Sequence, residues 1–248
     1  MRRLQQFTNQ IERDRESRGH HDAYYLQMDI KSFFTSIDQY ILYNLVAKKT
    51  KNAEILWLTK TIIFHDCARD IPPKIQSCPS LFAQLPADKS LFTVAKGKGL
   101  PIGNLTSQFF ANVYLDRLDQ FIKHTLKIKY YIRYVDDFVI LGKSYSYLET
   151  IRRTITKFVA AQLQMHVHPQ KQLIRPVADG IDFVGFIVRP EYVLLRRRTI
   201  SEWRWKVKNL PNGPKKQQVL SSYHAQAAWA NTFRLKIKMR MFLWTGRI

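Results

Sequence analysis

Acidic side chains are scarce in this chain. Its 248 residues hold 19 Asp and Glu against 40 Lys and Arg, a formal charge of +21. An excess of that size points to a polyanionic partner, with a membrane surface as the weaker option. Cysteine is scarcer still: Cys67 and Cys78 are the only two. Two cysteines make no disulfide framework and fit a reducing compartment, here the cytoplasm. Together with His65 they match no zinc spacing. A run of about 18 apolar residues, enough for a membrane helix, is missing. Met1-Arg2-Arg3-Leu4 shows no signal-peptide pattern. Repeats and low-complexity tracts are absent too. What remains is a chain that is 46% hydrophobic. It is long enough for one large domain or two small ones, with a sizeable core.

The charge is uneven. From Arg189 to Ile248 there are fourteen Lys or Arg and two Glu, a net +12. Tyr192, Trp203, Trp205, Tyr223, Trp229, Phe233, Phe242 and Trp244 are interleaved with them. Cations that neutralise phosphates, mixed with aromatics that stack on bases, suit nucleic acid better than a merely solvated face.

Against this basic background, a few acids stand out by position. Asp136 and Asp137 sit between two runs of β-formers, Tyr130 to Val135 and Phe138 to Leu141. The pattern predicts a strand, a two-residue turn and a second strand, with both carboxylates at the tip. An ordinary Asp-Asp turn is the bland alternative. Asp29 ends a second apolar run, Tyr24 to Met28. A carboxylate there is costly unless it is paired or binds a metal. Asp38 reads instead as the N-cap of a helix from Gln39.

Helical spacing of Leu4, Phe7 and Ile11 predicts a first helix, ended by Gly19-His20-His21-Asp22. Residues 40–66 read as helical. Residues 67–95 read as irregular, broken by Pro72, Pro73, Pro79 and Pro86. A Gly-rich loop follows from Lys96 to Gln108, with Thr106 or Ser107 starting a helix to Leu126. Residues 144–162 form an amphipathic helix on Leu148, Ile151, Ile155, Phe158 and Val159. His166 and His168 read as structural. Residues 180–188 read as a tight strand pair, and from Arg196 the pattern turns helical and basic. Asn209 to Pro214 breaks that helix from a final helical pair or single long helix over residues 218–245.

If the strands of Asp29 and Asp136 are neighbours, their carboxylates can share a pair of divalent ions. Such a pair stabilises the attacking and leaving oxygens of a phosphoryl displacement. Magnesium favours a few carboxylates plus the substrate's phosphates. Phe34, five residues after Asp29, is placed to press on a nucleotide's sugar.

With these motifs in order, the sequence resembles the reverse transcriptases. Asp29-Ile30-Lys31-Ser32-Phe33-Phe34 is similar to the family's first catalytic motif, and Tyr134-Val135-Asp136-Asp137 to its Tyr-x-Asp-Asp box. Leu100 to Gln108 resembles the loop that contacts template and nucleotide. Phe183-Val184-Gly185-Phe186 resembles the primer grip. The resemblance implies an α+β right-hand polymerase, with partial fingers and palm over residues 1–188 and a helical basic thumb over 189–248. It implies catalysis by Asp29, Asp136 and Asp137, with the Ile30 backbone as a further ligand for two Mg2+ ions or Mn2+. It assigns Phe34, Ile102, Gly103, Ser107 and Gln108 to the nucleotide, with Phe34 excluding a 2′-hydroxyl. Arg196, Arg197, Arg198, Lys215, Lys216, Arg234 and Lys236 fall to the nucleic acid. The implied partners are template RNA, primer or cDNA, and deoxynucleotides, with no membrane.

Two departures narrow the resemblance. Group II intron and retron enzymes carry Gln-Gly and then Ser-Pro in the loop. Here Ile102-Gly103 opens it and Ser107-Gln108 ends it, which resembles the diversity-generating retroelement branch. That branch copies an RNA with errors at adenines and works with a small basic accessory protein. An intron-like or defence-associated reverse transcriptase, or a non-catalytic RNA-binding scaffold, is the alternative. The second departure is the short lead: 28 residues precede Asp29. The basic fingers residues that grip a triphosphate are therefore expected outside this sequence.

Overall fold

The computed structural model describes residues 1–16, 23–66, 90–235 and 237. Cys67, Cys78, His20, His21, the proline-rich stretch, Lys236, Phe242 and Trp244 lie outside the described residues. The chain forms two compact units. A hairpin unit comprises Leu26–Ile140 and Glu149–Leu173. A terminal unit comprises Met1–Tyr25, Leu141–Leu148 and Ile174–Ile248.

The chain opens with α1 (Arg2–Glu16) and β1 (Tyr24–Ile30). Leu4, Phe7 and Ile11 are buried on α1, as their spacing predicts. Three helices follow: α2 (Phe33–Ser36), α3 (Gln39–Lys49) and α4 (Ala53–Ile63). The helical stretch expected over 40–66 is thus built as two helices. Asn52 Oδ1 accepts from Ile55 N at 3.0 Å and starts a new N-terminus. Asp38 caps α3 as expected, its Oδ1 accepting from Ile41 N at 2.9 Å.

After the Gly-rich loop comes α5 (Leu105–Gln120). It starts three residues earlier than expected, with Asn104 rather than Thr106 or Ser107 at its N-cap. The helix passes into a π-turn, Phe121–Thr125, closed by Leu126 N on Phe121 O at 2.9 Å. That turn seats the Phe121 ring on Phe158 at 4.0 Å and 6°. Next are β2 (Tyr131–Tyr134), β3 (Asp137–Gly142), α6 (Tyr145–Leu163) and β4 (Val167–Pro176). The four strands form one sheet in the order β2-β3-β1-β4, with β2 and β3 antiparallel. Its inner strands are fully apolar inside: Leu26, Met28, Phe138, Val139 and Ile140 are all 0–1% exposed.

The terminal unit carries a second, antiparallel sheet: β5 (Ile181–Phe183), β6 (Phe186–Val188) and β7 (Val193–Leu195). The strand pair over 180–188 is as expected. Strand β7 lies in the stretch expected to be helical, where Val193 and Leu195 alternate inward around exposed Leu194. Two helices follow, α7 (Arg197–Asn209) and α8 (Pro214–Ala227). The final helical stretch thus begins at Pro214, breaks after Ala227 and is helical again at 233–235, while residues 236 and 238–248 lie outside the described residues. Trp203 and Tyr223 stack between α7 and α8 at 5.5 Å and 3°. These two aromatics serve the core, while Trp205, Trp229 and Phe233 are exposed.

Candidate active site

The site is built in the hairpin unit on β1, the β2–β3 hairpin and β4. Strand order makes β1 the neighbour of β3 and of β4, the adjacency that the acids require. Asp29 lies near the end of β1 on the same face as Gln27, two residues earlier. Register across the hairpin pairs Tyr134 with Asp137. The turn is therefore Val135-Asp136, and only Asp136 sits at the tip. Asp137 opens β3 rather than sharing the turn. Val135 has φ of 55° and is the only loop residue with positive φ, the pattern of a type II′ turn.

Two of the three carboxylates are already engaged. Lys171 Nζ from β4 donates to Asp29 Oδ2 at 2.5 Å. Gln27 Nε2 donates to Asp137 Oδ1 at 3.1 Å. Burial pushes the Asp136 carboxyl up from its ordinary range, and the Asp29 charge adds to it. Burial likewise pushes Asp137 up to about 6, with the charges of Asp29 and Asp136 adding and Gln27 opposing. The Asp29 contact holds Lys171 protonated more firmly than usual. The three acids thus act on one another's charge in a partly desolvated place, offset in part by Lys171 and Arg133.

Such a cluster suits a divalent cation. Carboxylates and the Ile30 carbonyl are hard oxygen donors of the kind that Mg2+ and Mn2+ take. Among the described residues, no group of three or more His, Cys, Asp or Glu stands gathered to hold an ion. The expected two-ion clamp is not preformed: Lys171 and Gln27 close on two of its three acids.

The residues expected on the nucleotide side fall in two groups. Phe34 lies on α2 after Ser32, whose φ of 49° starts a tight turn. Backbone bonds lace this turn to the Gly-rich loop: Leu100 N to Phe34 O at 2.9 Å and Gly99 N to Ile37 O at 2.8 Å. Gly99 has φ of 89°, a left-handed backbone that favours glycine. Ile102, Gly103 and Gln108 are exposed at the start of α5, Ile102 by 70%. Ser107 is turned inward at 3%.

In the terminal unit, Phe183 and Phe186 close the β5–β6 turn as its last pair, with Val184 and Gly185 in the loop. Both ring-bearing residues are buried. Among the basic residues, Arg196 Nε donates to Asp182 Oδ1 at 2.8 Å and Arg198 Nε to Glu202 Oε1 at 2.8 Å. Lys216 Nζ donates to Asn212 Oδ1 at 3.1 Å. Arg197, Lys215 and Arg234 are exposed.

Residues 2–188 match the sequence pattern of the family described as reverse transcriptase (RNA-dependent DNA polymerase). The chain belongs to the reverse transcriptase family. Its fold is similar to that of the apo telomerase from Candida tropicalis, with a TM-score of 0.58 at 12% identity over 88% of this chain and 38% of that one. Telomerase from Candida albicans, in complex with a TWJ fragment of telomeric RNA, gives a TM-score of 0.49 at 12% identity over 83% and 38%. This reverse transcriptase chain thus spans about four-tenths of those telomerases. No curated protein matches it.

Three contributors to the site escaped the sequence reading. Gln27 carried a signal: a polar residue inside an apolar strand, on the face of Asp29. Lys171 carried none, being one of 40 basic residues. Asp119 was hidden in the amphipathic pattern of α5, and it anchors the hairpin through Arg133 and Tyr131.

Proposed function

We propose that this chain carries the catalytic centre of an RNA-templated DNA polymerase. The observation behind this reading is the convergence of Asp29, Asp136 and Asp137 from adjacent strands, with two of the carboxyls raised by burial and by their neighbours' charge. In the reaction, a primer 3′-hydroxyl attacks the α-phosphate of a deoxynucleotide and pyrophosphate leaves. Asp29, Asp136, Asp137 and the Ile30 carbonyl would hold Mg2+, or Mn2+ in its place. When bound, such ions supply charge stabilisation to the attacking and leaving oxygens. Phe34, fixed by its backbone bond to Leu100, stands as the bar to a 2′-hydroxyl. Ile102, Gly103 and Gln108 face the nucleotide and template, and Ser107 supports them from inside the helix. Phe183 to Phe186 form the primer grip within a palm over residues 1–188. Arg197, Lys215 and Arg234 lead a thumb over 189–248 that meets the backbone phosphates together with Arg196, Arg198, Lys216 and Lys236.

Within the family, the loop favours the diversity-generating branch, with a small basic accessory protein as partner and the cytoplasm as setting. An exposed aliphatic Ile102 replaces an amide beside the nascent pair, which removes a polar contact that could reject a wrong base. Ile102→Gln is expected to lower misincorporation opposite adenine at least threefold; equal error rates in both chains would remove the branch assignment. The polymerase reading is tested by extending a primer on an RNA template, with and without Asp29→Ala. Extension that survives this substitution would sink it.

A further inference from the structure

We infer that Arg133 is a positioning residue that aims Asp136 by holding the Val135–Asp136 peptide, with Asp119 and Tyr131 as its anchor. The inference rests on the polymerase reading above for the role of Asp136.

The geometry is specific to a guanidinium. Arg133 Nε donates to Asp119 Oδ1 at 2.8 Å and Nη2 to Asp119 Oδ2 at 2.5 Å, a bidentate pair. Nη1 donates to the Val135 carbonyl at 2.8 Å and reaches Asn112 Oδ1 at 3.3 Å. Tyr131 O–H donates to Asp119 Oδ1 at 2.6 Å. Burial, then the Asp119 charge, pushes the Tyr131 phenol up, so it stays a donor. Asp119 and Asn112 lie seven residues apart on α5, one face of the helix. The Arg133 side chain is 10% exposed. Arginine alone offers a rigid fork that can grip a carboxylate and a carbonyl at once; lysine offers a point charge.

The gripped carbonyl matters because of what surrounds it. Val135 is β-branched and sits at φ of 55°, a conformation that such residues avoid. Without a restraint, this residue would relax toward negative φ and swing the peptide that leads into Asp136. Arg133 is that restraint. The strain sits one residue from a proposed catalytic carboxylate, where strain is held by over-determined surroundings.

The test uses the whole chain and Mn2+ alone as probe, read by electron paramagnetic resonance, which needs no turnover. Arg133→Lys is expected to weaken Mn2+ binding about tenfold and to lower kcat of primer extension about thirtyfold, with KM for the nucleotide within threefold. Adding Val135→Gly to Arg133→Lys supplies a residue that accepts positive φ freely, so it is expected to recover at least a third of both losses. If Arg133→Lys does not fold, Tyr131→Phe carries the same test, with two- to threefold losses. Unchanged Mn2+ binding, or a loss that Val135→Gly leaves untouched, would reduce Arg133 to a structural ion pair and overturn the proposal. A parent chain that itself bound no Mn2+ would fail in the first row of the experiment. That result would count against the polymerase reading and this inference together, whereas failure in the variants alone counts only against the inference.

Discussion

Two hairpins in this chain turn on two residues each, and each puts a valine first. Val135 and Val184 have φ of 55° and 49°. The second loop residue differs: Asp136 in one, Gly185 at φ of 83° in the other. Both valines hold a positive φ that a β-branched residue avoids. In the second hairpin glycine takes the next positive φ freely, as the twist of paired strands favours, whereas in the first an acid follows. The carbonyls beside these turns are held differently too. Gly185 O accepts from a backbone amide, Arg196 N, at 3.0 Å. Val135 O accepts from a side chain, Arg133 Nη1. Where the turn has only to turn, local backbone chemistry suffices. Where the loop must present a carboxylate, a buried side-chain network takes over.

Each hairpin also has an arginine–aspartate pair, and these sharpen the contrast. Arg133–Asp119 is largely buried, with side chains 10% and 28% exposed, while Arg196–Asp182 is open at 41% and 45%. Breaking the buried pair leaves an uncompensated charge. Asp119→Ala is therefore expected to lower unfolding free energy by about 3–5 kcal/mol. Asp182→Ala should lower it by less than about 1 kcal/mol. Urea unfolding of both variants decides this, and equal losses would erase the distinction.

The next effect is pH dependence without metal. Asp137 is raised from 3.8 to about 6 in the fold. A carboxyl raised in this way stabilises the fold fully below pH 4 and loses that contribution as pH rises through 6. The full shift is worth roughly 3 kcal/mol, which screening cuts to about 1–2 kcal/mol. Melting in chelator should thus fall between pH 4 and 7, and Asp137→Asn should flatten that slope. A slope that persists in Asp137→Asn would place the strain elsewhere. The smallest effect lies in the other turn. Gly185→Ala forces a side chain to φ of 83° and should cost about 1 kcal/mol, measured by the same unfolding.

Parts of this arrangement were legible in the sequence for physical reasons. Asp29 and Asp136 stood out because acids in apolar strands need compensation. Asp38 was readable as a cap because capping is local, and the β5–β6 pair because Val184-Gly185 is turn chemistry between apolar runs. The break at Asn52 was not read, although the polar run Lys48-Lys49-Thr50-Lys51-Asn52 interrupts the apolar pattern there. Strand β7 is three residues long and its partner β6 lies five residues back, so no periodicity announces it. Lys171 and Asp119 act through contacts 142 and 14 residues away in sequence, which only the folded sheet brings together.

The most direct test sets the acids of the two hairpins side by side. RNA-templated primer extension with magnesium would be measured for the parent chain, Asp136→Ala and Asp182→Ala. The expected result is a loss of about a thousandfold in Asp136→Ala, some 4 kcal/mol of barrier, and less than threefold in Asp182→Ala. Extension that survived in Asp136→Ala, or that fell equally in both variants, would contradict the account.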